Sequence, residues 1–180
     1  MEHLQKNDRL ELEGQPRERI PENVFMILIS PYSKKLRTGK MNPKNYPFWQ
    51  ILVGLVMANG RKIVQVGIEG EEPLVPDFRK NLSLTDLRKL VRECDTWISC
   101  DSFLQHLGWD EKKEGIVLWG CSDPLIFGHP ENVNLLKDRK YLSANQFGWW
   151  EFVEHNPESF VEPQLVANAV EHLLSFDKTA

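Results

Sequence analysis

No stretch of this chain approaches the roughly 20 consecutive apolar residues that cross a membrane as a helix. The amino-terminal segment, MEHLQKNDRLELEG, has no apolar centre of the kind a secretory signal needs. A cytoplasmic protein without a transmembrane segment is therefore expected. Cysteine is scarce: Cys94, Cys100 and Cys121 are the three present, and no two have CxxC spacing. An odd number without metal-ligand spacing speaks against a disulfide framework and a zinc site, so buried free thiols and no bound metal are expected. There is no GxxxxGK[ST] phosphate loop and no GxGxxG fingerprint, which removes support for ordinary P-loop and dinucleotide-binding readings. No Ser-His-Asp triad is visible in sequence order. Positive charge is not in excess: 22 Lys and Arg against 26 Asp and Glu give a net charge of −4. That balance argues against a general nucleic-acid coat protein without excluding a local basic patch. Internal repeats and low-complexity tracts are also lacking.

What remains is a soluble, globular composition, 41% hydrophobic and 27% charged over 180 residues, the size of about one domain. Residues 1–22 are polar and read as a flexible arm or linker. A single domain is expected over 23–180. Its first element is the apolar run VFMILIS (24–30), which suits a central parallel strand covered on both faces. A helix follows from near Pro47 and stops at Asn59-Gly60. Further strands are expected at 62–67, within the ambiguous segment 74–81, at 96–100, at 115–120 and near 133–136. Helices are expected after a cap at Ser83 or Thr85, from Asp101-Ser102 through Leu107, and from about 162 to 176 with Pro163 in the first turn. The strand, loop, helix alternation predicts an α/β fold: a single Rossmann-like domain with a parallel sheet flanked by helices.

In such folds ligands bind beyond the carboxyl ends of the strands, and the loops expected there carry the chemistry. The loop 31–47 holds Lys34, Lys35, Arg37, Lys40 and Lys44, a positive concentration suited to phosphate or pyrophosphate. Read alone, it is equally a solvated basic loop. Glu69, Glu71 and Glu72 follow the second strand. A carboxylate there can accept hydrogen bonds from both hydroxyls of a ribose, or be surface acidity. Asp101-Ser102 sits at a strand-to-helix junction. Either residue can cap the helix, and the free amides behind the cap can meet an anion. His106, four residues beyond Ser102, is within reach of it on a helical surface.

The order of these pieces resembles the C-terminal, nucleotide-sugar-binding half of the heptosyltransferase-type glycosyltransferases, one lobe of a GT-B fold. The likeness runs from about Val24 to Leu174. Its most specific part is the family's D-[ST]-G-x-x-H-L-A, here Asp101-Ser102-Phe103-Leu104-Gln105-His106-Leu107, followed by a G-x-[ST]-x-P loop, here Gly120-Cys121-Ser122-Asp123-Pro124. Pro31-Tyr32-Ser33 stands where the family has a small-residue loop. Lys44-Asn45-Tyr46-Pro47 resembles K-x-W-P, Gly67 with Glu71 resembles G-x-x-x-E, and VEPQLVANAV (161–170) resembles the closing helix. The resemblance implies that Ser33 and Lys44 hold donor phosphates and Glu71 the nucleoside ribose or base. It implies that Asp101 contacts the donor sugar, the amides from Ser102 onward meet the diphosphate, and His106 supports that loop. The phosphates would be neutralised by protein groups without a metal or cofactor.

Two departures stand out. Phe103 replaces the family's glycine, where a missing side chain allows close backbone approach. The acceptor lobe, which in the family carries the catalytic base, has no counterpart that residues 1–22 could supply. The resemblance thus implies a glycosyltransferase-like protein that binds a nucleotide-diphosphate sugar and transfers the sugar to a glycan, lipopolysaccharide-type or other acceptor, with the base on a second chain or an oligomer mate. The alternative is a non-catalytic nucleotide-binding or assembly module that keeps the donor-lobe fold. Trp109, Trp149, Trp150 and Phe152 are candidates for an interface with that partner, or for ordinary core.

Overall fold

The computed structural model describes residues 24–176; the arm expected over 1–22 lies outside the described residues. Six strands form one parallel sheet: β1 (Met26–Ser30), β2 (Lys62–Gly67), β3 (Phe78–Lys80), β4 (Thr96–Cys100), β5 (Ile116–Trp119) and β6 (Val133–Leu136). Their order across the sheet is β3-β2-β1-β4-β5-β6. The helices are α1 (Trp49–Ala58), α2 (Leu84–Glu93), α3 (Phe103–Asp110), α4 (Pro124–Phe127) and α5 (Pro163–Phe176). The α/β, Rossmann-like architecture expected from the alternation is the one observed.

The central strands β1, β4 and β5 are mostly apolar and buried because both of their faces are covered. Along β1, Ile27 and Ile29 face a core built with Trp49, Leu52, Val53 and Val56 of α1 and Val166, Val170 and Leu174 of α5. Leu28 points the other way, toward Leu90 and Val91 of α2 and Leu104 and Leu107 of α3. The spacing 49, 52, 53, 56 is the i, i+3, i+4, i+7 stripe of a helix that buries one side. Trp97 and Trp119 are fully buried in the α2–α3 layer, and Phe160 in the α1–α5 layer. The Trp97 ring packs so closely on Gly108 and Gly115 that a Cβ on either would fall 2.4 and 2.2 Å from it, respectively.

Local signals place the element ends. Helix α1 stops at Asn59, and Gly60 follows at φ +74°, the left-handed turn that glycine enters without a Cβ penalty. Ser83 rather than Thr85 caps α2, accepting from Asp86 N at 3.1 Å. Several boundaries differ from expectation. β1 begins at Met26 rather than Val24, and α1 at Trp49 rather than near Pro47. β3 occupies only three residues of the ambiguous segment, and α3 continues past Leu107 to Asp110. The loop after β5 contains the short helix α4, started by Pro124 with Asp123 as its cap. All three cysteines are free and buried, as expected. Among the described residues no helix is long and apolar enough to cross a membrane.

Candidate functional site

With this strand order, β1 and β4 are neighbours whose following connections run to opposite sides, and a crevice opens beyond their carboxyl ends. β1 delivers Pro31-Tyr32-Ser33 there and β4 delivers Asp101-Ser102. Ser33 joins the two: its hydroxyl donates to the Asp101 carbonyl at 3.0 Å and lies 3.3 Å from Cys100 Sγ. The long loop 31–47 is held by asparagine side chains that supply the bonds a regular element would. Asn45 Oδ1 accepts from Ser33 N at 2.8 Å, Asn42 Nδ2 donates to Lys34 O at 2.8 Å, and Asn42 Oδ1 accepts from Lys44 N at 2.9 Å. Tyr46 and Trp49 anchor its far end through Tyr46 Oη to Val161 O at 2.9 Å and Trp49 Nε1 to Pro31 O at 3.1 Å.

This scaffold brings Lys44 into the crevice. Its Nζ meets Asp101 Oδ2 at 2.7 Å as an ion pair, though off the angle of a regular hydrogen bond. The ammonium lies 4.2 Å from the Trp150 ring centroid and 5.7 Å from that of Phe127, within cation–π range. Asp101 Oδ1 accepts from Gln105 Nε2 at 2.8 Å. The expectation that Asp101 or Ser102 caps α3 through its side chain is corrected here. Ser102 occupies the cap position without a side-chain cap bond, and the Asp101 carboxylate is engaged by Lys44 and Gln105. The first amides of α3 therefore carry no side-chain acceptor.

Glu71 closes the β2 side. Its Oε2 accepts from Ile68 N at 3.1 Å and fills the space where a Cβ on Gly67 would stand, 1.9 Å away. The turn is fixed by the buried Gln65, which donates to Glu72 O at 2.9 Å and accepts from Leu74 N at 2.7 Å. Burial pushes the Glu71 carboxyl above the ordinary range, against the pull of the Ile68 amide and Lys35. Burial first, then Glu72 and Glu71, pushes Tyr32 up to about 12. Glu69 instead turns outward to Lys80 at 2.8 Å.

Together these groups bound a cleft of about 700 Å³, inside the range of about 300–1,000 Å³ typical of small-molecule sites. Ser33, Lys44, Glu71, Asp101 and Ser102 line it, as does Phe103, 58% exposed. His106 does not line it. Its Nδ1 lies 2.9 Å from His129 Nε2 in a shared hydrogen bond, and His129 stacks on Trp109 with centroids 4.5 Å apart. Burial and then His129 hold His106 below its ordinary pKa. The basic loop is divided. Lys34 and Lys44 line the cleft, Lys35 donates to Gly70 O at 3.3 Å, and Arg37 lies over Trp149. A separate hollow of about 600 Å³ beside Trp109, Glu114 and Asn132 contains none of the residues expected to bind the donor.

Sequence reasoning missed Arg79, Gln105 and Trp150. Arg79 lines the cleft from the end of β3, a strand too short to be read from periodicity. Gln105 sits at a position the motif leaves open. Trp150 opens a single 3₁₀ turn, Trp150–Phe152, and reaches Lys44 only through the fold; the signal available was the Trp149-Trp150 pair itself. Of the other aromatics named as candidate interface, Phe152 is 86% and Trp149 59% exposed.

No family model and no curated protein matches the chain. Solved structures do. The E. coli ADP-heptose lipopolysaccharide heptosyltransferase II superposes with a TM-score of 0.62 at 15% identity, over 88% of this chain and 49% of that one. E. coli heptosyltransferase WaaC with ADP gives 0.54 at 17% identity, over 87% and 46%. The iron-containing dodecameric glycosyltransferase TibC from enterotoxigenic E. coli gives 0.60 at 14% identity, over 92% and 48%. The chain thus has the fold of one half of a heptosyltransferase and spans about half the length of these proteins. Among its described residues, no three His, Cys, Asp or Glu side chains are grouped so as to hold a metal ion.

Proposed function

We propose that residues 23–180 form the donor-binding lobe of a heptosyltransferase-like glycosyltransferase. In this reading the cleft binds a nucleotide-diphosphate sugar, and the sugar passes to an acceptor held by a second chain or an oligomer mate. The observation that carries it is the meeting, in one cleft at the switch point, of Ser33, Lys44, Glu71, Asp101 and Ser102, drawn from three separate loops of the sequence. Lys44 and Ser33 would take the diphosphate, together with the uncapped amides of α3. Glu71 would take ribose hydroxyls or the base, and Asp101 a hydroxyl of the donor sugar. His106 would brace α3 through its bond to His129. A half-buried ammonium and helix amides suit the negative charge that grows on a departing diphosphate. The acceptor's proton needs a base, which we assign to the partner.

The side chain of Phe103 at the cleft, where the family motif has glycine, favours one second reading, a binding module that holds the nucleotide without transfer. Calorimetric titration tests the shared premise. The chain should bind ADP-heptose or another member of a nucleotide-sugar panel, and Lys44→Ala should weaken binding at least tenfold, about 1.4 kcal/mol. No binding across the panel would refute both readings. Binding without sugar release or transfer in the presence of candidate partner chains would select the module.

A further inference from the structure

In the free protein the ammonium at the centre of the cleft already has an anion. Lys44 and Asp101 are 15% and 7% exposed and 2.7 Å apart. Asp101 is not free to swing away. Gln105 Nε2 donates to its Oδ1 at 2.8 Å from one turn along α3, and Ser33 Oγ donates to its carbonyl at 3.0 Å. Gln105 is fully buried, and its Oε1 has no hydrogen-bond partner. A reversed amide would set that oxygen against the carboxylate, so the donor end faces Asp101. An incoming phosphate must therefore share Lys44 with a carboxylate whose position is held from two sides.

We propose that Asp101, positioned by Gln105, discriminates by charge: it disfavours a free terminal phosphate and favours one esterified by a sugar. The proposal rests on the nucleotide-sugar reading above. A diphosphate diester carries one charge on each phosphate. A free nucleoside diphosphate carries a further charge on its terminal phosphate once pH exceeds a second pKa near ~6. That charge meets the fixed carboxylate and competes with it for one ammonium. A sugar-bearing phosphate lacks that charge and brings hydroxyls, which donate to the carboxylate. The same geometry weakens retention of the free diphosphate left after any transfer.

The test is titration of the full chain at pH 7.5 with ADP, with ADP methyl-esterified on its terminal phosphate, and with ADP-heptose. The proteins are the wild type, Asp101→Asn and Gln105→Leu. The methyl ester removes the charge without adding sugar contacts. The wild type should bind it at least tenfold more tightly than ADP. Asp101→Asn should bind ADP at least tenfold more tightly than the wild type does, and should bring the two ligands level. Gln105→Leu, which frees the carboxylate to turn, should fall between. A wild-type ratio within threefold, or an Asp101→Asn chain that loses ADP and methyl ester equally, would overturn the proposal and leave the nucleotide-sugar reading standing. Failure of the wild type and of Asp101→Asn to bind any of the three, or any other member of the nucleotide-sugar panel, would overturn both. Should Asp101→Asn not fold, the wild-type ratio decides.

Discussion

Replacing Lys44 by methionine keeps the apolar stem and removes the ammonium. It leaves the Asp101 carboxylate, 7% exposed, with Gln105 as its remaining side-chain donor. Breaking a buried pair from one side costs about 3–5 kcal/mol. Lys44 is 15% exposed and the pair borders an open cleft, so water can reach the orphaned charge and the expected cost is about 2–3 kcal/mol. Asp101→Asn spares the rings around the ammonium, 4.2 and 5.7 Å away, and should cost about 1 kcal/mol. In the double variant no charge is stranded, so its cost should be about 1–1.5 kcal/mol rather than the sum, a coupling of about 2 kcal/mol. At 2–4 °C per kcal/mol for a chain of this size, Lys44→Met alone should lower Tm by about 4–12 °C. Urea unfolding of the four proteins at pH 7 measures the cycle. Costs that add to within about 0.5 kcal/mol would refute the reasoning, because separable sites behave that way.

Gly108→Ala would set a Cβ 2.4 Å from Trp97 Nε1, on a fully buried ring bonded to Lys113 O at 2.9 Å. Overpacking of about 1–3 kcal/mol outweighs a helix-propensity gain of up to about 1, so thermal unfolding should show a net loss of about 2 kcal/mol or less. Burial pushes the thiols up, Cys94 to about 12 and Cys100 and Cys121 to about 11. An aromatic disulfide reagent at pH 8 should therefore find none of the three in the native protein and all of them after denaturation. His106 is held below its ordinary value of 6.5, so the unfolded chain takes up this proton first. Its contribution to stability is complete above that value and falls as pH drops toward the folded pKa. Tm measured from pH 7.5 to 5.5 should fall less steeply in His106→Asn than in the wild type.

The sheet was legible because its causes are local. An apolar run of strand length needs cover on both faces, and β1, β4 and β5 lie where such runs occur. Asn59-Gly60 and Ser83 end and start helices through their own backbone and side-chain chemistry. β3 was barely legible: three residues are too few to show a period, and its connection from β2 is held by the side chain of Gln65. Which loops gather at the carboxyl edge was legible as well, since alternation of strands and helices sends every second loop there. The motif order placed Ser33, Lys44, Glu71, Asp101 and Ser102 in one neighbourhood.

What those residues do to one another belonged to the tertiary structure. By sequence Asp101 and Ser102 are helix caps; in the fold, the ammonium of Lys44 and the amide of Gln105 take the Asp101 carboxylate and leave the helix amides bare. By sequence His106 reaches toward Ser102; in the fold, His129 is presented to it from the loop after α4. Trp150 has no periodic signal, yet its ring sits against Lys44. Periodicity and capping depend on neighbours along the chain. A partner for a charge depends on which loops the strand order sets side by side and on which rotamer the packing leaves open, and neither is written in any local stretch.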